Sequence, residues 1–149
     1  LLEKNSFQEA YSVFEEVVMY YPGTVFGDKS KFELALIDIA GGRYTTADEY
    51  LTSLSENRTD DLGAKSQYYL GQSLYDQAKY NEAITALVRV RTVYSRYEEW
   101  LMRSYLLLGD CYVKLNDKRN AAEMYRAVLT KYSGTPIGDE AQQKLRKVQ

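Results

Sequence analysis

Apolar residues recur three and four positions apart along most of the chain, the spacing that gathers side chains on one face of an α-helix. Two motifs carry this pattern. In the first, an aromatic is followed three residues later by Ala, then by a large residue four further on and an apolar one after three more. Its copies are Phe7/Ala10/Phe14/Val17, Tyr44/Ala47/Leu51/Leu54, Tyr80/Ala83/Leu87/Val90 and Ala121/Tyr125/Val128, with Lys118 at the aromatic place of the fourth. The alanines step by 37, 36 and 38 residues. The second motif is Ser-x3-Leu-small: Ser30/Leu34/Ala35, Ser66/Leu70/Gly71 and Ser104/Leu108/Gly109, with Ala141/Leu145 opening a further copy.

Both motifs keep one phase, and a third signal has the same period. Tyr21-Pro22-Gly23-Thr24-Val25-Phe26-Gly27-Asp28 returns as Tyr132-Ser133-Gly134-Thr135-Pro136-Ile137-Gly138-Asp139, five of eight positions identical at an offset of 111, three times 37. A fixed period of this size marks a repeat array. Each repeat reads as a hairpin of two helices. Ala or Gly in the first lets the second approach closely, and the large residue of the second fills the gap. Gly41-Gly42 and Asn116-Asp117 supply turns within hairpins, while Pro22-Gly23 and Ser133-Gly134 separate one hairpin from the next. Thr135-Pro136 is an N-cap followed by a first-turn proline, and Thr59 is expected to cap the helix after the Asn57-Arg58-Thr59 loop, a triplet that also matches a glycosylation sequon. Acidic residues gather at first-helix starts (Asp28, Asp60-Asp61, Glu98-Glu99, Asp139-Glu140), and Lys144, Arg146 and Lys147 lie toward the last helix end, as the helix dipole favours. The helices are placed at 5–20, 28–40, 44–56, 61–77, 80–95, 98–115, 118–132 and 136–147.

These residues resemble the tetratricopeptide repeat. Its pattern of aromatic-x2-Leu-Gly-x2-Tyr and then Ala-x3-Phe is met by Tyr105-x2-Leu108-Gly109-x2-Tyr112 with Ala121-x3-Tyr125. Leu70-Gly71, Tyr80, Ala83 and Leu87 match it again, as do Ala10-x3-Phe14 and Pro22. Gln67 stands where an aromatic is expected and Asp38 where a tyrosine is, and the period exceeds the usual one of about 34. The resemblance implies an all-α, right-handed superhelical α-solenoid of antiparallel hairpins. The repeats are expected at 28–58, 61–96 and 98–133, with a partial repeat at 1–22 and a capping helix at 136–149. The long period and the Tyr-Pro-Gly-Thr connection also resemble repeats of bacterial envelope proteins, such as the Tol–Pal coordinator and the lipoprotein of the β-barrel assembly machinery, implying a bacterial envelope or periplasmic setting.

By phase, Leu1-Leu2 is the last turn of an earlier helix, so helix 5–20 is expected to lack its hairpin partner and to expose Phe7, Phe14 and Val17. The chain is accordingly expected to be part of a longer protein, because a repeat cannot bury its apolar face alone.

Composition narrows the chemistry. With 19 basic and 21 acidic residues the net charge is −2, without the basic excess of a nucleic-acid footprint. No stretch reaches the length of a membrane span. Histidine is absent, which removes imidazole-based triads and His-ligated zinc. The single Cys111 reads as a small buried hydrophobe, with a redox thiol as the alternative. Asp60-Asp61 and Glu98-Glu99 are neighbours about 100° apart on a helix and do not converge as catalytic carboxylate pairs must. No Gly-rich phosphate loop occurs, and no cofactor or metal is implied.

The expected function is non-catalytic binding of a protein or peptide segment on the concave face of the superhelix, which the first helices line in such arrays. By phase the groove residues are Lys29, Phe32, Leu36 and Ile39, then Lys65, Tyr68, Gln72 and Tyr75, then Arg103, Leu106, Asp110 and Val113. Tyr68, Tyr75, Phe32 and Leu106 are the expected anchors, the alternative for each tyrosine being packing between hairpins. The ladder Lys29/Lys65/Arg103 suggests an acidic peptide, or simply solvated first turns. The family's carboxylate clamp lacks its asparagines here, with Leu36, Gln72 and Asp110 nearby instead. The competing expectation is a structural spacer that self-associates through its exposed N-terminal helix. A regulatory segment beside a catalytic domain is a third.

Overall fold

Close approach of paired helices is set by the small residue of the first and the large residue of the second. In the computed structural model, which describes residues 2–149, a Cβ on Gly71 would lie 2.5 Å from Leu87 Cδ2, and one on Gly109 would collide with the ring edge of Tyr125. Ala35 meets the same demand opposite Leu51, and Ala35, Leu51 and Leu87 are completely buried. The repeated small-x-large pairing is therefore a packing contact, with no room for a side chain at Gly71 or Gly109.

Eight helices follow, and among the described residues there is no strand. They are α1 (Leu2–Tyr20), α2 (Val25–Ala40), α3 (Tyr44–Glu56), α4 (Asp61–Asp76), α5 (Tyr80–Val93), α6 (Glu98–Lys114), α7 (Lys118–Tyr132) and α8 (Pro136–Val148). Each packs on the next in antiparallel succession, and α4 also packs directly on α6. Phe32 of α2 meets Tyr69 of α4 edge-on at 5.5 Å, and Lys144 of α8 reaches Asp110 of α6 at 2.7 Å. The even-numbered helices thus form one continuous layer, the inner layer of an α-solenoid, and the odd-numbered helices form the outer one.

The turns carry the period in their backbones. Gly42, Ala78 and Asn116 occupy equivalent places in their hairpins, and all three have φ between 58 and 75°. Glycine adopts that conformation freely and Asn tolerates it, whereas Ala78 is strained there. The echoed segment has a structural explanation as well. Thr24 and Thr135 cap α2 and α8 by accepting from the N–H groups of Gly27 and Gly138. A Cβ on either of those glycines would collide with the carbonyl of Tyr21 or Tyr132. At α4 the cap is Asp60, which accepts from Gly63 N at 3.0 Å, rather than Thr59. The carboxylate at 60 serves two ends, because Arg58 grips it at 2.8 and 3.1 Å while also pairing with Asp28.

Tertiary links absorb the two departures from the repeat pattern. Gln67 is buried, donates to the Ala86 carbonyl at 2.9 Å and accepts from Arg89 at 3.1 Å. Asp38 is fully buried and accepts from Arg43 Nε at 2.7 Å. Tyr94, likewise buried, turns its hydroxyl to the carbonyls of Ser55 and Arg58, joining α5 to the loop before α4.

The array ends differ. Among the described side chains of α1, no hydrophobic residue is in the buried core. Phe7, Val13 and Met19 are 64, 57 and 69% exposed, while Phe14 and Val17 are half-covered by α2. Leu2 lies within α1 rather than in an earlier helix; Leu1 lies outside the described residues. At the other end Ala141 and Leu145 of α8 are buried against α6 and α7, and Gln143, Arg146 and Lys147 face solvent.

Candidate binding groove

Five of the residues assigned to the groove by phase share one cavity. Tyr68 and Gln72 of α4, Arg103, Leu106 and Asp110 of α6, and Ile137 and Glu140 of α8 surround a space of about 330 Å³. Residues one or two turns apart on three successive inner helices meet there because the helices lie side by side in one layer. Tyr68 contributes a ring wedged against Tyr69 at 5.1 Å and Trp100 at 5.8 Å. Burial pushes its hydroxyl pKa up to about 12. Leu106 is 7% exposed and forms the floor. Gln72 donates to Asp76 at 2.9 Å and keeps its carbonyl free of any hydrogen bond among the described residues.

Asp110 is tied on several sides. It accepts from Tyr125 at 2.6 Å and from Lys144 at 2.7 and 2.8 Å. Burial, followed by this hydrogen bond to the carboxylate, drives the Tyr125 hydroxyl far above the ordinary phenol range. The carboxylate therefore divides the cavity from a second one and links three helices.

The remaining residues assigned by phase lie elsewhere. Tyr75 packs edge-on against Tyr80 at 5.5 Å and, with Val113, lines the second cavity. Phe32 is only 2% exposed and offers no surface; Leu36 and Ile39 pack on the α2–α3 core beside it. Lys29 is exposed on α2. The basic ladder is dispersed by local contacts. Lys65 lies 4.3 Å above the Phe32 ring. Arg103 lies 5.3 Å above Trp100 and pairs with Glu99 at 3.1 Å. Such cation–π placements hold the charge against an aromatic face.

Cys111 is fully buried, and desolvation lifts its thiol pKa to about 12, opposite to the shift of a reactive thiolate. Among the described residues no His, Cys, Asp or Glu cluster could hold a metal ion, and no helix is long and apolar enough to cross a membrane.

The second cavity, about 390 Å³, was not legible in the repeat phase. It is rimmed by Lys114, Lys118, Lys144 and Lys147, from the end of α6, the start of α7 and α8. These lysines share no single spacing, so only the folded α6–α7 turn and the crossing of α8 bring them together.

Comparison with known proteins agrees with this architecture. The tetratricopeptide repeat family model matches residues 64–133. A crystal structure of MamA superposes with a TM-score of 0.70 at 22% identity, covering 98% of this chain and 88% of that one. The nearly identical TPR-like repeats of a Podosopora anserina kinesin light chain superpose with a TM-score of 0.74 at 21% identity, covering 98% and 78%. No curated protein matches by sequence. Residues 64–133 match the tetratricopeptide repeat model, and the described chain as a whole has the α-solenoid fold of these solved structures.

Proposed function

We propose that the protein is a non-catalytic scaffold whose inner face holds a protein or peptide segment in the groove between α4, α6 and α8. The observation that carries this reading is the convergence of Tyr68, Gln72, Arg103, Leu106 and Asp110 on one cavity. It has an apolar floor, an aromatic wall, and polar groups of both signs at its rim. Such a mixture suits a short segment with one apolar side chain and neighbouring backbone or polar groups to satisfy. Affinity for one isolated segment is expected near micromolar, about −8 kcal/mol. The finer reading, a role in bacterial envelope assembly, is supported only by the period and the Tyr-Pro-Gly-Thr connection.

The test is a peptide-display selection on the folded protein, followed by amide chemical-shift mapping of the selected peptides. Shifts centred on Tyr68, Gln72, Arg103 and Asp110 are expected. Selected peptides that instead shift α5 and α7, or a selection that yields no binder, would overturn the reading.

A second reading has its own observation. The apolar surface of α1, with Phe7, Val13 and Met19 more than half exposed, fits self-association through that helix, and the inner face would then be idle. A mass in light scattering that grows with concentration and reverts to monomer on substitution of these three by Gln supports it.

A further inference from the structure

The chain has a net charge of −2, yet four lysines and one carboxylate line a single cavity at the α6–α8 end. The carboxylate, Asp110, already has its charge matched by Lys144 at 2.7 Å. Lys114, Lys118 and Lys147 make no ion pair among the described residues. Asp117, adjacent to Lys118, has its oxygens turned to the backbone N–H and side-chain amide of Asn120, at 3.1 and 2.6 Å. Glu140 is 3.6 Å from Lys144 and lines the neighbouring groove instead. Three cations thus converge on one concave space without partners of their own, and like charges held this close repel one another.

We infer that this lysine-rimmed cavity is a docking site for an acidic peptide segment, one with several separate carboxylates and an apolar side chain among them. The lysines sit around a space about 390 Å³ in volume and come from three chain segments. They are compact point charges without the fork that grips one phosphate bidentately. The α7 N-terminus, where a phosphate would seek N–H groups, is capped by Asp117. Tyr75 and Val148 line the same space and give an apolar side chain somewhere to rest, which a bare polyanion would not use. The site lies beside the inner groove and shares only Asp110 with it, so it stands whether or not that groove binds.

The experiment is fluorescence anisotropy on the whole chain. Its probes are a labelled ten-residue peptide of glutamate, aspartate and leucine, the same peptide with glutamine and asparagine for the acids, and a ten-residue oligothymidylate. The acidic peptide is expected to bind, to weaken several-fold when salt rises from 50 to 200 mM, and to lose at least about tenfold in affinity to K118E/K147E. Both of those lysines are exposed, so circular dichroism should show an unchanged helical melt. K4E/K79E, which makes the same change in net charge away from the cavity, should bind as the wild type does. Binding of the neutral peptide as tight as the acidic one would overturn the proposal. So would equal losses in the two double variants, no binding at all, or oligothymidylate binding that matches the peptide.

Discussion

The first and last helices of the described chain carry the same repeat pattern and bury it to very different degrees. At α1 the Ala-x3-large pattern, Ala10 and Phe14, is present but only half-covered, and Phe7, Val13 and Met19 are more than half exposed. At α8 the Ser-x3-Leu pattern is reduced to Ala141 and Leu145, which are buried against α6 and α7. The next place, where Ala35, Gly71 and Gly109 admit a neighbouring helix, is Arg146, exposed and charged. A helix docking on α1 would have to present a small residue to Phe14, whereas one bringing a large residue to α8 would meet the long cation of Arg146. The difference shows that a solenoid edge is opened or closed by very few positions: one small residue, one charge, and the polarity of an outer face.

The comparison can be broken most sharply with large-to-small substitutions at one repeat position. Leu51→Ala and Leu87→Ala remove completely buried side chains and should each cost about 2–5 kcal/mol in urea unfolding. Phe14→Ala, equivalent by phase but half-covered, should cost less than about half as much. Equal losses would mean that α1 is covered as well as α3 and α5 are.

Ala78→Gly should stabilise by about 1 kcal/mol, since it relieves an alanine at φ 58°. Its counterpart Gly42 already has the freedom required, so Gly42→Ala should cost a similar amount. Smaller still are Ser66→Ala and Ser104→Ala. Their hydroxyls are buried without a partner among the described residues, so removal should be neutral or stabilise by up to about 1 kcal/mol. A loss above that would mean those hydroxyls have a partner in solution. The smallest expected effect on stability is at the open edge itself. Phe7→Gln with Met19→Gln should change unfolding by less than about 0.5 kcal/mol while lowering any concentration-dependent scattering.

The helices were legible because two motifs with independent chemistry, small against large, kept one phase; each helix lies within three residues of its expected bounds at either end. Part of the cavity lining was legible for the same reason, since phase alone places Tyr68, Gln72, Arg103, Leu106 and Asp110 on adjoining inner helices. Contacts across helices were not. The pairing of Lys65 with the Phe32 ring and of Arg103 with Trp100 depends on crossing geometry, and a spacing argument treats both cations as free. Asp60 displaces Thr59 as the cap because Arg58 and the Gly63 N–H draw on the same carboxylate. The lysine-rimmed cavity joins residues from an α6 end, an α7 start and α8, and no linear motif connects them.

The central claim, that in this chain α1 is poorly covered while α8 is well covered, is tested most directly by residue-resolved hydrogen exchange on the monomer at low concentration. The account predicts that amides in the middle of α1 exchange far faster than those of α5, while amides around Ala141 and Leu145 in α8 approach α7 in protection. Protection of α1 equal to that of α5 in a verified monomer, or an α8 that exchanges as fast as α1, would contradict it.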